Sequence, residues 1–161
     1  MSQGYELAPG AEELAALSGD HAVALSPESF EGTPPIERFQ EPAGDLAKVF
    51  QRIPFDTDSS KIEGPVAQKH VHQIAHYLQS HPEVYVFVEG HCDERGPSLY
   101  NLSLGARRAN AIRSALVKEG VEADRLFTIS YGKERPVVPG SNADALRQNR
   151  RGQFKLYTQG E

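Results

Sequence analysis

The chain has 161 residues, 39% hydrophobic and 24% charged, enough for one domain of ordinary size with sequence to spare. A net charge of −5 with no strongly basic window gives nucleic-acid binding no electrostatic support, and no apolar run approaches the ~18 residues of a membrane span. The one cysteine, Cys92, suggests neither an internal disulfide nor a zinc cluster, and the opening MSQGYELAPGAEELAAL lacks the basic-then-apolar order of a signal peptide.

Residues 1–44 hold Pro9, Pro27, Pro34, Pro35 and Pro42, several glycines and an acidic excess. Glu12 to Leu17 suits a short helical stretch, but nothing in the segment supplies a core, so it reads as a flexible arm or tether. Residues 45–158 form the expected domain, and 159–161 are a tail. Within the domain, Lys48 to Phe55 reads as a first strand, with Pro54 marking an edge or a bulge. Asp56 to Ser60 is a turn cluster. Val71, Ile74, Ala75 and Leu78 then mark one face of a helix over Gly64 to Ser80, closed by His81-Pro82.

Val84 to Glu89 (VYVFVE) alternates β-branched and aromatic residues and predicts a central strand. Gly90 to Tyr100 reads as an irregular polar loop, Leu104 to Lys118 as a second helix stopped by Gly120, and Leu126 to Tyr131 as a third strand. A long loop over Gly132 to Arg147 precedes a short last strand, Phe154 to Tyr157. The order β-α-β-α-β, loop, β predicts an α+β sandwich, with two helices on one face of a small mixed four-stranded sheet.

The segment Gly90 to Ile112 carries the chemistry. At about 100° per residue, Leu104, Ala111, Ile112 and Ala115 project near Arg108, so an arginine sits inside an apolar stripe. Burying it is costly unless something anionic satisfies it. Asp93 lies just past the central strand, where sheets of this kind collect ligands. A guanidinium and a carboxylate in one cleft suit a zwitterion. An internal Asp93–Arg108 salt bridge would serve the arginine equally well, and spacing does not choose between the two.

Phe55 and Asp56 are candidates for an aromatic wall and backbone donors in that cleft, or else are an ordinary strand end with its turn aspartate. Asn101 is placed to cap or orient the loop. His72 and His76 stand four apart on a helix, a chelating spacing. They project away from its apolar face without a third ligand, so they read as solvated. His91, Cys92 and Asp93 match a nucleophile-base-acid set in composition only, because successive residues leaving a strand face opposite sides. Asn149-Arg150-Arg151 reads as a solvated or salt-bridged edge, or as a brace against the acids after Glu89.

VEGHCDERGPSLYNLSLGARRANAIRSAL, ISYGKERPV and QNRR, with FDTDSSKI after the first strand, closely resemble the OmpA C-terminal-like domain, and most of all its peptidoglycan-associated lipoprotein (Pal) branch. The likeness runs from about Val49 to Tyr157. It implies a βαβαβ-type fold that binds peptidoglycan non-covalently, through the diaminopimelate of the stem peptide, with no cofactor or metal and no enzymatic turnover. Asp93 and Arg108 match the residues that grip diaminopimelate in the family. Phe55, Asp56, Arg95, Asn101 and Leu104 fall on motif positions around the same cleft, and Cys92 occupies a slot where Thr or Ala is commoner. The resemblance also implies a periplasmic, outer-membrane-associated location, a TolB-like propeller partner, and attachment through a lipid anchor outside this chain. A small cell-wall hydrolase and a protein-interaction domain with an internal Asp93–Arg108 pair are the alternatives. If a ligand carboxylate is the anion of Arg108, removing this arginine should leave the fold intact.

Overall fold

The structure is a computed structural model that describes residues 34–160. Its central feature is a sheet of strands β1 (Ile53–Pro54), β2 (Val84–His91), β3 (Leu126–Gly132) and β4 (Arg151–Thr158), ordered β1-β4-β2-β3. β2 runs parallel to β3 and antiparallel to β4, which is antiparallel to β1, so the sheet is mixed. A parallel pair needs a crossover connection, and a long helix (Ser98–Lys118) supplies it between β2 and β3. Among the described residues there are four α-helices: α1 (Asp45–Val49), α2 (Gly64–Ser80), α3 (Ser98–Lys118) and α4 (Ala143–Asn149).

Period-2 alternation along β2 builds both faces of the sheet. Val86 and Val88 join Ile74 and Leu78 of α2 and Ala109, Ile112 and Leu116 of α3 in one apolar core. Phe87 points the other way, into an aromatic cluster with Phe39, Phe127, Ile129 and Tyr131. Both main helices therefore pack on the same face, and α2 has the limits its periodicity predicts. Gly120, at φ 111°, ends α3 as expected.

Four elements differ from the sequence reading. The predicted strand over Lys48 to Phe55 is instead α1 followed by a two-residue β1. Leu46, Val49 and Phe50 follow i, i+3, i+4 spacing and pack on the core, and that helical period outweighs the β-branched character of the run. Pro54 does lie on an edge strand. Helix α3 starts at Ser98, because Pro97 caps a first turn whose Leu99 and Tyr100 are exposed and leave no apolar stripe to read. The loop before β4 contains α4, where the Asn142 side chain accepts from Ala145 N–H at 2.9 Å.

Residues 34–44 belong to the segment read as an arm, yet Phe39 is buried with its ring 4.7 Å from Phe87, and Gln40 bridges Leu156. One aromatic between polar neighbours has no period to betray it. The rest of the predicted arm, residues 1–33, and Glu161 of the tail lie outside the described residues.

Gly90 of β2 meets Gly105 of α3 backbone to backbone. A Cβ on Gly90 would collide with the Gly105 carbonyl oxygen, and one on Gly105 would stand 2.9 Å from the Gly90 carbonyl oxygen. This approach sets α3 low over the strand end, with Arg108 one turn further along. Gly90→Ala should therefore destabilise the fold by ~1–3 kcal/mol or more, read as a lower urea midpoint at unchanged slope.

Candidate functional site

A cleft of about 400 Å³ opens beyond the end of β2, between the turn after β1 and the first turns of α3. Asp93, Arg95, Asn101, Leu104 and Arg108 of the predicted site line it. Phe55 and Asp56 do not; they support it from beneath. Phe55 is buried with its ring centroid 5.2 Å under the Arg108 guanidinium, and the Asp56 side chain is exposed while its carbonyl faces inward to Arg108.

Arg108 is fully buried. Its Nε donates to the Ser59 carbonyl at 2.8 Å, Nη1 to the His91 carbonyl at 2.9 Å and Nη2 to the Asp56 carbonyl at 2.8 Å. No carboxylate oxygen of the described residues pairs with it, and Asp93 pairs with other cations, so the internal Asp93–Arg108 salt bridge is not formed. Burial pushes the guanidinium pKa down, but an arginine stays charged in a protein. Three of its five N–H groups bond to carbonyls and a further interaction reaches the Cys92 thiol, and Arg108 lines the cleft without a carboxylate partner among the described residues. The expectation that removing Arg108 leaves the fold intact omits a structural role. Its side chain ties the turn after β1 to the end of β2, and removing it would strand three carbonyls.

Asp93 is held on both oxygens. Oδ1 accepts from the Arg95 backbone N–H at 3.0 Å and from Arg95 Nε at 3.2 Å. Oδ2 accepts from Arg95 Nη2 at 2.8 Å and from Arg150 Nη1 at 3.4 Å. Burial raises its pKa, but the bonds and charge of Arg95, with Arg150, more than offset that, and the net shift is downward. Asn101 fixes the loop that carries both residues, donating from Nδ2 to the Arg95 carbonyl at 2.7 Å. The reading of Asn101 as a loop organiser describes this contact.

Arg150, which also donates to the Phe55 carbonyl at 3.0 Å, is a cleft residue that sequence reasoning placed only at an edge or as a brace. No local signal marks it, because β4 meets β2 only in the folded sheet. Thr57, Asp58 and Tyr100 were also missed; Tyr100 donates to Asp58 at 3.1 Å across the cleft mouth. The His91 side chain turns to the opposite face of the sheet and pairs with buried Glu89 at 2.9 Å. Cys92 contacts the Asn101 carbonyl at 3.2 Å, and burial pushes its thiol up to about 11. These three neighbours therefore do not converge on one reacting position. His72 pairs with Glu119 at 3.2 Å on the surface, and no group of three or more metal-binding side chains occurs among the described residues.

A family model, the OmpA family, matches residues 54–150. The chain belongs to the OmpA family. It is 50% identical over 103 residues to the peptidoglycan-associated lipoprotein of Agrobacterium fabrum, and 52% identical over 100 residues to that of Mesorhizobium japonicum. These matches cover 64% and 62% of this chain and 58% and 59% of the relatives, so the chain spans under two thirds of their length. The crystal structure of the peptidoglycan-associated lipoprotein from Burkholderia pseudomallei superimposes with a TM-score of 0.65 at 40% identity, over 71% of this chain and 95% of that one. The C-terminal domain of Helicobacter pylori MotB superimposes at 0.63 with 24% identity, over 68% of this chain and 86% of that one, and shares the fold alone.

The site that this OmpA-family fold assembles puts a fixed, buried cation, Arg108, in one cleft with the carboxylate of Asp93. Because Asp93 has a lowered pKa in the folded state, it contributes stability above the ordinary carboxylate value of ~3.9 that is lost as pH falls through the folded pKa. In urea titrations, the gap between wild type and Asp93→Asn should be widest near neutrality and close as the solution is acidified through that window. A gap that stays constant with pH would contradict this account of Asp93.

Proposed function

We propose that this chain binds peptidoglycan non-covalently, taking the zwitterionic end of diaminopimelate in the cleft. The observation that carries this reading is that buried Arg108, paired with no carboxylate of the described residues, lines one cleft with the Asp93 carboxylate. A guanidinium forks onto a carboxylate, and a carboxylate accepts an ammonium. The relatives named peptidoglycan-associated lipoprotein support the ligand class. On the same reading the chain works in the periplasm at the outer membrane, linking it to the cell wall through a lipid anchor. It serves as a Pal-like component of a Tol–Pal system, with a TolB-like propeller protein as partner. The internal-pair reading loses its premise, and a hydrolase would have to work from Asp93 without His91. Asp93 pairs with Arg95 and Arg150 rather than Arg108, and His91 faces away from the cleft.

Co-sedimentation with purified sacculi tests the assignment. Truncating one partner of a desolvated charged contact typically costs ~2–5 kcal/mol, so Asp93→Asn should weaken retention by tens-fold or more. Arg108→Ala should do the same, and should also lower the melting temperature, because stranded buried acceptors cost ~1–3 kcal/mol each. Sedimentation of folded Asp93→Asn equal to wild type would overturn the proposal.

A further inference from the structure

The carboxylate meant for a ligand ammonium is already full: four donors sit on the two oxygens of Asp93, and a carboxylate offers about four lone-pair positions. An incoming ammonium must displace one of them. The Arg95 backbone N–H is fixed in a loop tied down by Asn101 and by Lys133 Nζ, which donates to the Gly96 carbonyl at 2.7 Å. Arg150 is 15% exposed and anchored on the Phe55 carbonyl. The Arg95 side chain is 50% exposed and reaches across the cleft to Thr57 Oγ1 at 3.2 Å. It is the donor that can leave, and Asp58 lies within electrostatic range to receive it.

We infer that the Arg95 guanidinium is an exchangeable latch on Asp93, displaced by the ammonium of the ligand. This rests on the peptidoglycan reading and adds a selection step to it. A ligand with a carboxylate alone can reach Arg108 without opening the latch, whereas one that also carries an amine must compete with a guanidinium for Asp93. Arg95 is then a positioning residue that lowers affinity while it excludes weaker cations from the cleft. Its backbone contacts to Asp93 and Asn101 survive in alanine, so Arg95→Ala keeps the loop.

The test uses the full chain and two probes: a soluble stem-peptide fragment ending in diaminopimelate, and its analogue lacking the free side-chain amine but keeping the carboxylate. Exposed ion pairs are worth a factor of about 1.5–5 in an equilibrium constant, so by calorimetry Arg95→Ala should bind the amine-bearing fragment that much more tightly. It should gain nothing for the analogue. In labelled wild type, the Arg95 Nε–H resonance should move when the amine-bearing fragment is added and stay in place with the analogue. Equal or weaker binding of the amine-bearing fragment by Arg95→Ala, or an Nε–H signal that answers both probes alike, overturns the latch while leaving peptidoglycan binding intact. Wild type that binds neither fragment overturns the peptidoglycan reading, and the latch falls with it.

Discussion

The structure depends on one buried cation. Arg108 is placed by α3 against three backbone carbonyls that come from two separate segments, Asp56 and Ser59 after β1 and His91 at the end of β2. Removing a guanidinium from water is expensive, and three charge-assisted bonds with the Phe55 ring beneath offset that cost. The arrangement works only if the carbonyls converge before a ligand arrives. The turn after β1 follows a strand of only two residues and is held in part by this side chain, alongside Arg150 at Phe55, Arg95 at Thr57 and Tyr100 at Asp58. The cleft is thus built in part by a buried residue that also lines it.

Three arginines surround the site, and burial sorts them. Arg108 is wholly enclosed, Arg150 is 15% exposed and Arg95 50% exposed. Solvent screens the outermost pair most, so the bond that is shortest, Arg95 Nη2 to Asp93 at 2.8 Å, is not the hardest to exchange. The fixed groups give the cleft its shape and the exposed one gives it a response. A site with all three cations buried would hold its carboxylate permanently closed.

Much of this was legible in the sequence. The apolar period of α2 and the alternation of β2 come from long runs in which burial and pattern agree, and the misplaced polarity of Arg108 was visible for the same reason. What satisfies Arg108 was not. Carbonyl oxygens carry no residue identity, so a search for the missing anion found Asp93, the carboxylate just past the central strand, when the protein uses backbone. The helical phase of α1 and the first turn of α3 were hidden by shortness and by exposed Leu99 and Tyr100. Arg150 was undervalued because its relation to Asp93 is made by β4 lying antiparallel to β2, a tertiary pairing with no local trace.

The central strand explains why adaptation falls on a side chain. β2 is paired on both sides, is buried along nearly all its length, and presses Gly90 against Gly105, so its end cannot shift without moving α3. The loop hung from that end is tied in turn: Cys92 N–H donates to the Gly132 carbonyl, Asn101 holds the Arg95 carbonyl and Lys133 holds that of Gly96. A backbone so constrained at both ends has no inexpensive way to open. The remaining freedom lies in long polar side chains at the mouth, and of these Arg95 alone bonds to both Asp93 and the facing turn at Thr57. Rigidity of the strand therefore concentrates the ligand response in one guanidinium.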